Sequence, residues 1–171
     1  SISGVANRNF SLLGDPSMQL ALAENEIVFD EVKTSAGSLE LKGLSQVNIT
    51  GHLENNLSAL TQFNGKLTLT LLSEEVNLIT KGDENPPFNY SDRPNMLFRG
   101  NASVSQGLFE LQFIMPKDIP AEFITGKFLA SAFDKNGNFA NGIALNNLIG
   151  GLESSPASDN TPPQIQLFLG D

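Results

Sequence analysis

The sequence predicts an all-β fold, an antiparallel two-sheet β-sandwich of the immunoglobulin-like kind with seven or eight strands. Apolar residues recur at every second position in several short segments, the period that places side chains on one face of a strand. The 15 glycines and 9 prolines are spread between these segments as turn signals. Because no segment carries a long helical period, the pattern favours stacked sheets over helices.

Three consecutive strands are predicted between Leu97 and Asp134. Gln106-Gly107 is expected to form the turn between the first two, and Pro116 ends the second because proline cannot donate to a ladder. The inner-facing residues alternate as Phe98, Gly100, Ala102 and Val104, then Phe109, Leu111, Phe113 and Met115, then Phe128, Ala130 and Ala132.

The other strands are weaker or shorter. They are predicted, in chain order, at 24–33, 38–41, 46–53, 66–73, 76–80, 143–149 and 165–169. The strand at 76–80 is expected to pair back on its predecessor as a hairpin. Residues 81–95 carry three prolines and no apolar period, so we expect a long surface loop there.

These elements suggest one central domain with a terminal piece on each side. Residues 24–150 form the predicted β-sandwich domain. The apolar residues of 1–23 have no evident local partner, so this segment is either an edge strand of the same domain or the end of a preceding one. Residues 151–171 are predicted to be a linker, by their serine, glycine and proline content, and the first strand of a following domain.

Composition excludes several classes of function. Ten Lys and Arg against 19 Asp and Glu give a net charge of −9, which disfavours nucleic acid as a partner. Cysteine is absent, which removes disulfides, thiolate metal sites and a cysteine nucleophile from this chain. No apolar run approaches the roughly 20 residues of a membrane-spanning helix, and the N-terminus lacks the features of a signal peptide.

His52 is the only histidine. It is predicted on the strand face opposite Val47, Ile49 and Leu53. A Ser-His-Asp triad is recognised by geometry rather than by order, so a hydrolase built on His52 stays open. A solvent-facing histidine is favoured, because the chain has no G-x-S-x-G motif.

A calcium loop is the one cofactor site that the sequence suggests. Asp134, Asn136 and Asn138 stand at the first, third and fifth positions of a loop, and Asn141 is a further candidate ligand. The twelfth position holds Leu145 instead of a bidentate acid, and Asn-Gly is a strong hairpin-turn signal. A plain turn without a cofactor is therefore favoured.

Two segments are candidates for interaction. Phe88 and Tyr90 lie in the predicted long loop and are the candidate platform for a sugar, although the chain has no tryptophan. Lys117 and Asp118 lie in the loop after the second of the three strands predicted between Leu97 and Asp134, and they are candidates for contact with a neighbouring domain.

The chain also resembles a known family. The pattern G-x-F-x-x-x-F-x-x-P-K-D-I spans Gly107 to Ile119, and FNGKLTLTLLS, GKFLASAFD and DNTPPQIQLFLGD accompany it in order. Together they resemble the β-sandwich region after the peptidase domain of the type IX secretion system sortase, a gingipain-type cysteine peptidase family of Bacteroidetes-like bacteria. The segment from Asn7 to Met18 resembles the end of that peptidase domain. The resemblance therefore implies that residues 1–23 are the tail of a peptidase domain or a linker.

The resemblance implies a parent protein that removes C-terminal sorting domains from cargo and attaches the cargo to the cell surface, through a cysteine-histidine pair. Neither catalytic residue is carried over, since there is no cysteine and His52 follows the peptidase end. The implied role is a non-catalytic module at the extracellular face of the outer membrane. Its implied partners are the upstream peptidase domain, a downstream β domain of the same chain and other secretion-system components. A free-standing carbohydrate- or calcium-binding module is the alternative.

Overall fold

A computed structural model describes residues 23–82 and 85–155. Over these ranges the chain forms eleven β-strands, which confirms the predicted strands at 24–33, 38–41, 46–53 and 66–73 and the three after Leu97. The strands are β1 (Asn25–Thr34), β2 (Glu40–Gly43), β3 (Gln46–Asn55), β4 (Ser58–Ala59), β5 (Gly65–Leu72), β6 (Val76–Ile79), β7 (Asn89–Asp92), β8 (Met96–Ser105), β9 (Leu108–Ile114), β10 (Ile124–Asp134) and β11 (Phe139–Leu152).

Seven of these strands close into a barrel. Following the ladder, the order is β1, β11, β10, β5, β8, β9 and β3, and β3 pairs again with β1. β2 adds to β11, β4 adds to β3, and β6 with β7 forms a separate two-stranded sheet. The all-β class is what the structure shows. The prediction of an antiparallel, immunoglobulin-like two-sheet sandwich is wrong, because one continuous sheet runs round the molecule.

The error has a physical cause. Alternation reports which side chains face the interior, and it is the same whether a sheet closes on itself or packs on a second sheet. Closure depends on pairings that are distant in sequence. β1 pairs antiparallel with β3 from Glu26 to Thr34, and it pairs parallel with β11 through Asn25 and Glu26 only.

The barrel interior is filled by the alternating sets that the sequence indicates. Phe128 lies at its centre and is fully buried, with the ring of Phe29 6.4 Å away and that of Phe109 edge-on to Phe29 at 6.1 Å. Burying each large apolar side chain contributes about 1.5–3 kcal/mol. The other fully buried large residues are Ile27, Leu41, Val47, Ile49, Leu53, Leu67, Leu69, Leu71, Met115 and Ile149.

The segment after β5 differs from its prediction. β6 does not pair back on β5; it pairs with β7, which lies inside the predicted loop 81–95, in a register that places Leu78 opposite Tyr90. This hairpin, β6 and β7 with their connection, is called the arm below. The sequence does not reveal this pairing, because β7 has the sequence Asn-Tyr-Ser-Asp without an apolar period and all four of its residues are exposed.

The strand directions give the barrel two ends. The arm and the β9–β10 loop lie at one end, called the arm end. The β3–β4, β8–β9 and β10–β11 turns lie at the opposite end, called the turn end. This arrangement decides which of the predicted site residues can act together.

The predicted terminal segments lie mostly outside the described residues. The expectations that 1–23 is the tail of a preceding domain and that 151–171 begins a following one stay predictions. Within the described part, β11 continues to Leu152. No described residue belongs to a helix long and apolar enough to cross a membrane.

Candidate functional site

His52 lies on the outer face of the barrel between two carboxylates. β3 places it directly opposite Val28 of β1, and its Nδ1 donates to Asp30 at 2.9 Å. Its Nε2 lies 3.4 Å from a carboxylate oxygen of Glu54, two residues along the same strand. The histidine is therefore held at both ring nitrogens by acids.

A β-bulge brings Asp30 to this position. Phe29 pairs with Gly51 and Glu31 with Thr50, so Asp30 is the extra residue in β1. Bulges commonly redirect a side chain in this way. Gly51 allows the close approach of the strands, because a Cβ there would collide with the carbonyl oxygen of Val28 and lie 2.5 Å from the Phe109 ring.

The surroundings favour the protonated histidine. The hydrogen bond to Asp30 raises the pKa of His52 above its ordinary value. Burial opposes this effect, but the charge of Asp30 and the hydrogen bond and charge of Glu54 act with it, so the pKa stays raised. The hydrogen-bond partner of His52 within the described residues is a carboxylate, with no hydroxyl at either ring nitrogen. The arrangement can hold a proton, but it lacks the serine that a triad needs.

Asp134 begins the turn in which a calcium loop was hypothesised. Its carboxylate is buried, with 6% exposure, and accepts backbone N–H groups of Asn136 and Asn138 at 2.8 and 2.9 Å. The side-chain amides of the same two residues donate to its other oxygen at 3.3 and 2.7 Å. Burial opposes ionisation of Asp134, but these donors outweigh it and lower the pKa of its carboxyl.

A calcium ion would need oxygen atoms where this turn presents N–H groups. Asn141 lies on β11, where it pairs with Ser131, and not in the turn. Within the described residues, no group of three or more His, Cys, Asp or Glu side chains is arranged to hold a metal ion. Calcium at Asp134, Asn136 and Asn138 stays a proposal that a titration has to test.

Phe88 and Tyr90 lie on the arm and are exposed, at 67% and 42%. Tyr90 shares a face with Leu78, and Phe88 extends the ladder by a backbone contact with Thr80 at 3.0 Å. Ile79 is 66% exposed on the other face. The arm therefore presents apolar side chains to both sides without packing them on the barrel.

Arg93 fastens the arm to the barrel. Its guanidinium donates to the carbonyl oxygens of Ser73 at 2.6 Å and Thr125 at 2.9 Å, and so joins the ends of β5 and β10. The backbone N–H of Ser73 also donates to the carbonyl of Asn95 at 2.9 Å. No sequence pattern indicates these hydrogen bonds of Arg93, because they depend on carbonyl groups that only the tertiary structure brings together.

Lys117 and Asp118 lie in the β9–β10 loop and are both exposed. Neither forms an ion pair within the described residues. This loop and the arm share the arm end, whereas Asp134, Asn136 and Asn138 lie at the turn end. The structure thus places the two predicted interaction segments at one end and separates them from the turn.

Comparison with known proteins gives one informative likeness. A crystal structure of dimeric latent PorU from Porphyromonas gingivalis matches with a TM-score of 0.63 and 25% sequence identity, over 82% of this chain. The matched region is only 14% of that chain, so this chain spans a small part of its length. A crystal structure of Spo0M, a sporulation control protein from Bacillus subtilis, matches at 12% identity over 75% of this chain and 50% of that one, with a TM-score of 0.43.

No family profile matches this chain. No curated protein matches it either. The likeness to PorU therefore supports a relation to a fragment of that protein at the level of structure.

Proposed function

We propose that this chain is a non-catalytic β-barrel module of a cell-surface sortase of the type IX secretion system. The observation that carries the proposal is the likeness to PorU, at 25% identity over 82% of this chain. PorU is a sortase of the family that the strand and Pro-Lys-Asp-Ile motifs resemble. A match to only 14% of PorU fits a module that serves chemistry located elsewhere in a longer protein.

The residues of this chain favour a supporting role. It has no cysteine to act as the peptidase nucleophile. His52 is held between Asp30 and Glu54, and these acids occupy the ring nitrogens that a catalytic base would use.

The proposed role is to space or dock the peptidase domain at the extracellular face of the outer membrane. The arm end supports this role, because it exposes Phe88 and Tyr90 on the arm, and at the same end Lys117 and Asp118 are charges without an ion pair in the described part of the chain. An apolar centre with a charged rim is typical of a protein-protein contact. The proposed partners are the preceding peptidase domain, a following β domain and other secretion components.

Two measurements test this function. The 171-residue chain is expected to have no peptidase activity on cargo that carries a C-terminal sorting domain. In the full-length protein, the double change Phe88→Ser and Tyr90→Ser is expected to lower cargo attachment at least about fivefold, since each anchor residue of an interface contributes on the order of 1 kcal/mol or more.

Phe133→Ser is the matched control for the arm variant, because Phe133 is 54% exposed on the barrel wall. It is expected to leave cargo attachment unchanged. Peptidase activity in the isolated chain would contradict the non-catalytic assignment. Equal attachment by the arm variant and the control would remove the docking role from the arm.

A further inference from the structure

A row of outward side chains crosses four neighbouring strands of the barrel, β8, β5, β10 and β11. The registers of these strands align, in that order, Arg99, Thr70, Leu129 and Ile143. A hollow of about 390 Å³ lies along the row, and its lining also includes Ser131 and Asn141. The outer wall of the barrel therefore has a cation at one side of this hollow and an aliphatic side chain at the other.

A β-bulge places a second aliphatic side chain beside the row. Leu145 and Asn146 of β11 stand opposite the single residue Lys127 of β10. Asn146 has a φ of 62°, in the left-handed region that asparagine adopts more readily than most residues. The side chain of Asn147 donates to the carbonyl of Ala144 at 3.0 Å across the bulge. Bulges commonly redirect a side chain, and Leu145 is exposed here.

No strand of the described chain covers these aliphatic side chains. Ile143 and Leu145 are each 58% exposed, and Leu129, directly opposite Ile143, is half-buried. On its other edge β11 pairs with β1 only up to Asn141 and with β2 only from Leu148, so residues 142–147 have no ladder partner there among the described residues. A contiguous exposed apolar patch commonly marks an interaction site.

The charge around this patch is positive, although the chain has a net charge of −9. The strands β5, β8, β10 and β11 carry three cations, Lys66, Arg99 and Lys127, and their one carboxylate is the buried Asp134. Arg99 and Lys127 form no ion pair within the described residues. A carboxylate, Glu26, stands only at the β1 margin, opposite Asn141. The surface formed by Arg99, Lys127, Leu129, Ile143 and Leu145 is called the bulge face below.

We propose that the bulge face docks an acidic segment of a partner protein, which places carboxylates at Arg99 and Lys127 and an apolar side chain on Ile143 and Leu145. A guanidinium can hold a carboxylate by two parallel, charge-assisted hydrogen bonds. An apolar centre with a charged rim is the usual composition of a protein-protein contact. The proposal rests on the bulge face itself and does not depend on the proposed function.

The spacing of the strands gives the docked segment a length and an orientation. Arg99 and Ile143 are three strand spacings apart, roughly 14 Å, which an extended segment covers in about four residues. The acidic end lies over β8, because at the opposite margin its carboxylates would meet Glu26. A second copy of this chain is a poorer occupant, since it would join two different walls in a head-to-tail contact that does not close.

The test uses the 171-residue chain and the capped hexapeptide Glu-Glu-Ser-Ser-Leu-Leu. This peptide, when extended, places its first carboxylate and its leucines roughly 14 Å apart. Binding is followed by NMR titration of the backbone amides. We expect saturable shifts at millimolar peptide, the largest of them at residues 99, 127–129 and 143–145.

Two pairs of variants test the cation and the apolar patch separately. Arg99→Glu is expected to weaken binding at least about fivefold, whereas Lys81→Glu, the same change in net charge on the arm, changes it less than about twofold. Leu145→Ser is expected to weaken binding at least about fivefold through lost apolar contact. Leu57→Ser is its control, because Leu57 is 88% exposed in the β3–β4 turn. All four changes are at exposed positions, and unchanged melting temperatures confirm that the variants fold.

Two further peptides test the chemistry of the occupant. Lys-Lys-Ser-Ser-Leu-Leu is expected to bind the unaltered chain less tightly than the acidic peptide and to bind Arg99→Glu better than the unaltered chain. Glu-Glu-Ser-Ser-Ser-Ser keeps the charges without the leucines, so its binding is expected to disappear.

Four results would overturn the proposal. Absence of saturable binding would remove the site, and equal effects of Arg99→Glu and Lys81→Glu would show that the peptide senses only net charge. Shifts centred on residues 103–110 would place the peptide in the cleft between β8 and β9 instead. Association of the chain with itself, abolished by Leu145→Ser, would identify a second copy as the occupant.

Discussion

A single extra residue in β1 determines the surroundings of the only histidine. The bulge leaves Asp30 without a ladder partner on β3, and its carboxylate accepts the hydrogen bond from Nδ1 of His52. The sequence predicted the face on which His52 lies, because alternation in β3 fixes it. It did not indicate Asp30, since a bulge changes the register and leaves no mark in composition.

The raised pKa of His52 makes stability depend on pH. A group whose folded pKa is raised contributes fully below its unfolded value, about 6.5, and that contribution disappears as pH rises through the folded pKa. We expect His52→Gln to lower the free energy of unfolding at pH 5.5 and to have little effect at pH 8.5. Because the site is partly exposed, the effect stays below about 1 kcal/mol. Urea unfolding at the two pH values measures it, and a loss of equal size at both would contradict it.

The lowered pKa of Asp134, at the turn end, predicts that its contribution to stability has the opposite pH dependence from that of His52. Its carboxyl has a lowered pKa, so its contribution is present above the ordinary value of about 3.9 and is lost as pH falls through the folded pKa. Asp134→Asn is expected to lower the melting temperature at pH 7. The difference from the unaltered chain should shrink progressively as pH falls below the ordinary value, and a difference of constant size into the acid range would contradict this account.

The Asp134→Asn variant also tests whether the turn binds calcium. The measurement is the melting temperature of this variant and of the unaltered chain, each with millimolar calcium and with a chelator. The plain-turn interpretation expects equal melting temperatures, because Asn136 and Asn138 already saturate the carboxylate with donors. A saturable rise that Asp134→Asn abolishes would establish the site.

At the scale of elements, the arm depends on one side chain for its position. Arg93 contacts Ser73 and Thr125 across two strands, and hydrogen bonds from a charged donor contribute about 1.5–3 kcal/mol each. Arg93→Met is therefore expected to release the arm more than to unfold the barrel. Hydrogen exchange in β6 and β7 should quicken at least about tenfold, while exchange in β10 stays unchanged.

Lys81→Met is the control for that experiment, because Lys81 is an exposed cation of the arm without an ion pair among the described residues. It should leave exchange in the arm unchanged. Uniform quickening across the barrel in Arg93→Met would mean that the clamp supports the whole fold instead.

Two phenylalanines of β10 allow the free-energy cost of a core substitution to be compared with that of a surface substitution. Phe128 is fully buried and Phe133 is 54% exposed, on opposite faces of the same strand. Phe128→Ala is expected to cost about 3–5 kcal/mol, and Phe133→Ala less than about 0.5 kcal/mol. Denaturant unfolding gives both values. Similar costs would contradict the assignment of faces.

The sequence predicted most strands of the barrel because burial of one face imposes alternation. β5 shows this best, with Leu67, Leu69 and Leu71 all buried. It did not predict β7, because Asn89–Asp92 is exposed and carries no apolar period. Arm strands are held by backbone hydrogen bonds and by Arg93, and neither leaves a pattern in the sequence.

At the scale of the whole molecule, closure of the sheet into a barrel could not be predicted from the sequence. It depends on β1 pairing with β3 and also with β11, and the β1–β11 contact joins Asn25 to Ala140, near opposite ends of the described chain. The same limit applies to the β8–β9 hairpin, whose ladder consists of Val104 with Phe109 and Ser105 with Leu108 only. Phe98 and Phe113 read as ordinary inward residues of a hairpin, whereas in the fold they replace the ladder that their strands lack.

The barrel also divides charge between its walls. β1, β3 and β9 carry five carboxylates and one lysine, Lys33, which pairs with Glu31, whereas the cations Lys66, Arg99 and Lys127 lie on the other strands of the barrel. Such a division orients a module between unlike neighbours, because each wall attracts one sign of charge. It agrees with a module that works between other domains.

The most direct test of a supporting, non-catalytic role is removal of residues 23–155 from the full-length protein. The peptidase domain of that deletion is expected to fold and to cleave a short unstructured substrate, whereas attachment of cargo to the cell surface is lost. Attachment at the unaltered level would contradict the account.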